Sequence, residues 1–543
     1  MRLLLTSSLV VAAALVVGAS VQAAPPESAK GSLPIERFVR QLSLDLRGNV
    51  PEMTDYDAVD GASDIPATLL EAYLASDEFR LQMRRYHEAL LWTNPTVSLT
   101  NVRVTLSASS GPTPLWRAQG RRALYRGGDG SAECQAKPQS TIGYEPDGSP
   151  RTEDFGLVAG KPVRREGYVE VHPYWESDPS VTIKVCAFDA QTTSSFVVPS
   201  GIDAGTWPCD SLSGTIRSEH CGCGPELAYC NTSAVVTTVV SSMREQVLRS
   251  VDDHTGGGEP YSKLVTTPRA YVDGPLSHYL HYVAHVLPHS SVQTGLQPAD
   301  GPVPLLGDHA AKGWVAYDRL EPHSGVLTLP AYLLRFQTQR GRANAYRIAF
   351  RGQYFEPPSA KDTGCFEVGD DLTQRCVCRG CHTTLEPLAA HFGKFSEAGS
   401  MVLTSYPESY LTRTACLNGL LPSVSSFCDR FYSVVPALED PDIRYWKLKA
   451  LQYADAQHPL VEPNFEAGPR GLAEADIASG LFHRVAVGHL FEFFMKRLPN
   501  LDVTSPDYEG ATLDALAADF AKHDDLRQAI TALVKLPAYR RLP

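Results

Sequence analysis

The 543-residue chain has little positive charge: 49 Lys and Arg stand against 61 Asp and Glu, a formal net charge of −12. No stretch concentrates Lys and Arg, so a nucleic-acid-binding face is not expected. Beyond the first two dozen residues no apolar run approaches the roughly 20 residues that a membrane-spanning helix needs. The common hydrolase signatures are missing as well. There is no H-E-x-x-H and no G-x-S-x-G, and Gly127-Gly128-Asp129-Gly130 lacks the Lys-Ser/Thr of a phosphate-binding loop. These absences leave a globular protein whose chemistry must come from elsewhere.

Cysteine is the residue in surplus, with 12 in the chain. The N-terminus offers a reason. Arg2 precedes the apolar stretch Leu9–Val17 and the small residues that end at Val21-Gln22-Ala23. A positive charge, a short apolar core and small residues at −1 and −3 predict a secretory signal peptide over 1–23, cleaved after Ala23. The protein is therefore expected outside the cytoplasm, in the periplasm or at the cell surface, where disulfides are the default state of cysteine. Short closures such as Cys221 with Cys230, Cys416 with Cys428 and Cys365 with Cys376 are the expected bridges.

Periodicity divides the rest. Phe79, Met83, Tyr86 and Leu90 form one helical stripe, with Ser76 or Asp77 placed to cap it. Alternating runs at Tyr168–Val171 and Val181–Val185 read as strands among Gly-, Pro- and Ser-rich turns, with one helix expected over Ser233–Asp252. Leu526, Ile530, Leu533 and Val534 make a helical face near the C-terminus. The fold expected is mainly α and multi-domain, with a β- and loop-rich, disulfide-containing insertion. The expected boundaries are an N-terminal helical domain over 24–100, the insertion over 101–260, and a helical domain over 261–355. A c-type haem segment over 356–410 and a C-terminal helical domain over 411–543 complete the set.

The stretch that carries chemistry is Cys376-Val377-Cys378-Arg379-Gly380-Cys381-His382. Cys378, Cys381 and His382 form C-x-x-C-H, the attachment signature of haem c. Two cysteines one turn apart can each form a thioether with a haem vinyl group, and the adjacent imidazole then reaches the iron as proximal ligand. At this composition a chance match is expected only roughly 0.008 times. Two alternatives stay open: zinc bound by Cys376, Cys378, Cys381 and His382, or disulfides with His382 as a bystander.

Cys378–Gly399 resembles the haem-c block of large exported proteins of planctomycete and myxobacterial type, whose function is unknown. Leu385-Glu386-Pro387 and Phe395…Gly399 carry the likeness, together with Phe38–Gly48, Tyr271–Leu276, His323–Thr328 and Phe482–Arg540 in the same order. The resemblance implies a haem protein of the periplasm or cell surface and supplies no reaction.

The reading for function is an exported mono-haem, cytochrome c-like protein that transfers single electrons to redox partner proteins, with one covalent haem c. An open iron site would instead make it a peroxidase- or oxidase-like enzyme, and a third possibility is structural haem in an envelope binding protein. Whether it is an enzyme therefore turns on the second axial ligand. Met401 and His391, 19 and nine residues beyond His382, are the distal candidates. His278, His281, His285 and His289 fall at helical spacing and could supply a ligand in their place. Arg335, Arg340 and Arg342 are candidate partners for the haem propionates.

Overall fold

The computed structural model describes residues 32–92, 151–198, 205–211, 221–286, 303–354, 378–396 and 467–540, with shorter stretches between them. The signal peptide and Met401, His289, Cys365, Cys416 and Cys428 lie outside the described residues.

The helices form where the apolar stripes lie. Helix α1 (Ile35–Arg47) buries Phe38, Val39, Leu42 and Leu46 on one face. It stops at Gly48, whose φ of +77° lets its N–H turn back to the carbonyls of Ser43 and Leu44. After α2 (Ala67–Leu74), helix α3 (Asp77–Leu91) starts at Ser76, whose hydroxyl accepts the Phe79 N–H at 3.1 Å. Phe79, Met83 and Tyr86 are buried as the spacing predicts.

Helix α4 (Ser233–Thr255) begins at Thr232 and lies against α3, where Arg84 bonds both Glu245 and Asp252. The sequence placed this helix in the insertion. Its buried residues Val235, Val239, Met243, Val247 and Val251 instead belong to the main core.

Further along are α5 (Gly274–His278), α6 (Gln339–Arg351) and α7 (Arg379–Ala390). Next come α8 (Gly468–Ala478), α9 (Leu481–Met495), α10 (Gly510–His523) and α11 (Leu526–Val534). Asp525 caps α11 by accepting from the N–H groups of Arg527 and Gln528, and Leu526, Ile530, Leu533 and Val534 are all buried. The expected N-terminal, central and C-terminal helical regions thus share one hydrophobic core, which runs from Leu33 to Tyr539. Its ends meet: the Leu33 N–H donates to the Arg540 carbonyl at 2.9 Å, and the Tyr539 hydroxyl donates to Asp45 at 2.8 Å.

The insertion is built differently. Its strands pair as two-stranded antiparallel hairpins, among them Tyr168–Val171 with Ile183–Cys186. Three disulfides hold it: Cys134–Cys186, Cys209–Cys221 and Cys223–Cys230. The Cys221–Cys230 bridge expected from loop length is therefore replaced. Cys221 and Cys223 are two residues apart around Gly222, and each closes a different loop, one back to the 205–208 strand and one forward to Cys230. Both could not reach Cys230, and spacing alone does not say which one does. A buried Arg117–Asp189 pair, 2.8 Å apart, supplies the polar centre of the insertion.

Candidate haem-attachment site

Helix α7 opens at Cys378, whose carbonyl accepts the N–H of His382 at 3.0 Å and that of Cys381 at 3.2 Å. This first turn gathers both thiols and the imidazole at one helix end. Cys378 and Cys381 are free and only part-buried, whereas every other described cysteine is in a disulfide. That includes Cys376, whose bridge partner lies outside the described residues. A zinc site using the Cys376 thiolate is therefore removed, because an oxidised sulfur is not available as a thiolate ligand.

His382 is held by a residue that the sequence reading did not assign. Glu386 sits one turn on, and its Oε1 lies 2.5 Å from His382 Nδ1. With a carboxylate as acceptor, Nδ1 carries the proton and Nε2 is left to a metal, the arrangement that orients ligating histidines in general. The Glu386 side chain is fully buried, and Arg340 of α6 donates to the same Oε1 at 2.5 Å. Glu386 Oε2 is buried with no hydrogen-bond partner. The signal was present in the sequence: a carboxylate at i+4 from the motif histidine shares its helix face.

The propionate candidates have other duties. Arg342 is fully buried and donates to the carbonyls of Leu333, Phe336, Phe395, Ser396 and Gly399, which clamps the segment after α7. Arg340 pairs with Glu386, and the Arg335 guanidinium lies 5.5 Å over the Trp92 ring.

His391 is buried at the C-cap of α7. Nine residues of helix are two and a half turns, so it lies on the opposite side from His382 and roughly 13 Å along the axis. The structure does not bring these two imidazoles together across one iron. Of the His278–His289 stripe, the described His278, His281 and His285 do not converge either. The helix changes from α to π geometry at Tyr279–Val283, which shifts the phase of everything beyond His278. Each described histidine then finds its own carbonyl: His278 on Ala228, His281 on Val303, His285 on Leu280.

A cavity of about 630 Å³ lies along the next face of α6. Gly341, Ala345 and Ile348 line it, while Arg340 and Arg347 on the same helix reach α7. Asn344 belongs to both faces, lining the cavity and accepting from Arg347 at 3.1 Å. Its walls are mostly aromatic and aliphatic, with His489 among them. Burial lowers the His489 pKa and keeps the ring neutral, with Nε2 buried and unpartnered.

Among the described residues one group of three metal-ligand side chains converges, Cys134, Glu166 and Cys186, and its two sulfurs are joined to each other. No described helix is long and apolar enough to cross a membrane. No family model matches the chain, and neither a curated protein nor a solved structure matches it.

Proposed function

We propose that the chain carries one covalent haem c on Cys378 and Cys381, with His382 as proximal ligand, and passes single electrons between partner proteins outside the cytoplasm. The observation that carries this reading is the selective freedom of two thiols. In a chain whose other described cysteines are oxidised, the unbridged pair is the pair in C-x-x-C-H, next to an imidazole with its Nδ1 engaged. The donor set fits the group: two thiols for the vinyl carbons and one nitrogen for the iron. Bound haem would supply a one-electron iron couple. Glu386 would keep the His382 ring in one tautomer and orientation, and Arg340 would hold Glu386 in place. The resemblance to exported haem-c proteins and the disulfides both support export.

The full exported chain, made with haem-attachment machinery, should keep its colour after boiling in detergent and gain the mass of one haem. Cys378→Ala and Cys381→Ala should each weaken that retention, and Cys209→Ala should not. Colourless protein, or one zinc per chain, would sink the reading.

A second reading, a peroxidase-like enzyme with an open iron, is favoured by the same Glu386. A carboxylate on the far side of the proximal imidazole raises its basicity and pushes electron density toward the metal. With His391 on the other side of α7, Met401 would be the candidate to hold the second iron position in the carrier reading. A low-spin resting spectrum that becomes high-spin in Met401→Ala supports the carrier. A high-spin resting spectrum with rapid cyanide binding supports the enzyme.

A further inference from the structure

A second cavity, about 620 Å³, lies where the insertion meets the helical body. The insertion contributes Tyr174, Glu176 and Tyr229, and the body contributes His278, Tyr282 and the loop ending at His309. The loop is drawn in closely. A Cβ on Gly274 would stand 2.3 Å from the Asp308 carbonyl oxygen, so only glycine allows α5 and this loop to touch.

Three imidazoles line the cavity, His172, His278 and His309, and the last two meet at one tyrosine ring. His278 stacks face to face on Tyr174 at 3.4 Å, and His309 meets the edge of the same ring at 5.1 Å. His278 Nε2 donates to the Ala228 carbonyl at 2.9 Å. Burial holds the His278 pKa down at about 3, so the ring is neutral and Nε2 carries its one proton. His278 Nδ1 is then a bare acceptor. His309 is 8% exposed, also kept neutral by burial, and its Nε2 is buried without a partner. Three carboxylates, Glu176, Glu226 and Asp308, stand in the walls, and no Lys or Arg does among the described residues. The cavity therefore offers acceptors, negative charge and the rings of Tyr174, Tyr229 and Tyr282, with one face of Tyr174 already covered by His278.

We propose that this cavity binds an organic cation of ammonium or guanidinium type. Its volume suits a small molecule, and a cation gains from tyrosine faces and carboxylates together. A bare divalent ion is a poorer match. The His278 and His309 ring centres are 5.9 Å apart, and among the described residues no three ligand atoms converge there. None of these residues belongs to the haem motif, so this site stands or falls independently of the haem reading.

The test is titration calorimetry on the full chain, with its disulfides intact and whether or not it carries haem, with choline and agmatine, against 3,3-dimethylbutan-1-ol, the uncharged isostere of choline. One cation should bind at one per chain, with the neutral isostere at least about tenfold weaker. Glu176→Gln, and Asp308→Asn, which keeps the oxygen that accepts the Ala310 N–H, should each weaken cation binding several-fold. Intact disulfides and unchanged circular dichroism would report that the variants fold. No saturable binding of either cation, equal binding of the neutral isostere, or binding indifferent to both carboxylate variants would overturn the proposal.

Discussion

In the helical body, α3, α4, α9 and α11 bury apolar stripes against one another in a single core that no cysteine enters. In the insertion, three small clusters each contain a disulfide: Trp116 with Cys134 and Cys186, Phe196 with Cys209 and Cys221, and a six-residue group around Cys223 and Cys230. The body draws stability from buried area, whereas the insertion, with too little core to fold on burial alone, draws it from shortening the unfolded chain. The chemistry follows the same division. Oxidised sulfur staples the insertion, and the two reduced thiols sit on a helix packed into the body, beside the disulfide-bonded Cys376.

That division can be broken from either side. Reducing the three disulfides should have the largest effect, removing about 4, 3 and 2 kcal/mol in the chain-entropy model for loops of 52, 12 and 7 residues. Hydrogen exchange should then rise across 151–230 while α3 and α4 stay protected. Exchange rising equally in both regions would mean that they are one cooperative unit. Phe79→Ala, in the body, should cost about 3–5 kcal/mol in urea denaturation and leave the insertion bridges intact.

Acid should act on the body and on the junction. His87 is buried, donating Nδ1–H to the Met83 carbonyl at 2.8 Å and accepting from the Tyr261 hydroxyl at 3.0 Å, and burial lowers its pKa to about 4. His309 is likewise held at about 4 and His278 at about 3. Below pH ~6.5 the unfolded chain takes up these protons and the folded one does not. Stability should therefore be full above that pH and fall by up to about 1.4 kcal/mol per pH unit per histidine down to pH 4. Urea midpoints measured from pH 7 to 4.5 check this, and a His87→Gln chain should show a shallower slope.

Two smaller effects sharpen the contrast at α7 and α3. In the proposed haem-loaded chain, Glu386→Gln should leave the haem attached but raise its reduction potential by on the order of tens of millivolts, because an amide would no longer make the His382 imidazole electron-rich. Arg340→Leu should move it the other way, which a purely structural role for Glu386 would not produce. Ser76→Ala should cost about 1 kcal/mol, the loss of one cap, read from the thermal midpoint.

How legible each part was in the sequence depends on the kind of rule it obeys. The α3 and α11 stripes follow a 3.6-residue period, so their buried faces could be read directly, and the α3 cap was narrowed to Ser76 or Asp77. The same period identified α4 as a helix but could not say what its apolar face packs against, and so it was given to the wrong region. Hairpin positions were visible as alternation, whereas the choice between Cys221 and Cys223 is made by three-dimensional closure. His278, His281 and His285 do not share the one face that their spacing predicts, because a π turn has no composition signal and moves the later side chains around the axis. Glu386 was within reach, since its spacing from His382 is one helical turn.

The contact between the two ends of the body has a consequence for the order of events in making this protein. Phe38 packs edge-on to Tyr539 at 5.9 Å, and Asp45 bonds a hydroxyl 494 residues further along. Contacts of such sequence separation form late, because a very long loop must close first. A chain emerging N-terminus first therefore completes its C-x-x-C-H turn before 467–540 has docked to close the body. The proposed attachment at Cys378 and Cys381 would have that interval in which to occur, and the two thiols stay part-buried in the finished fold.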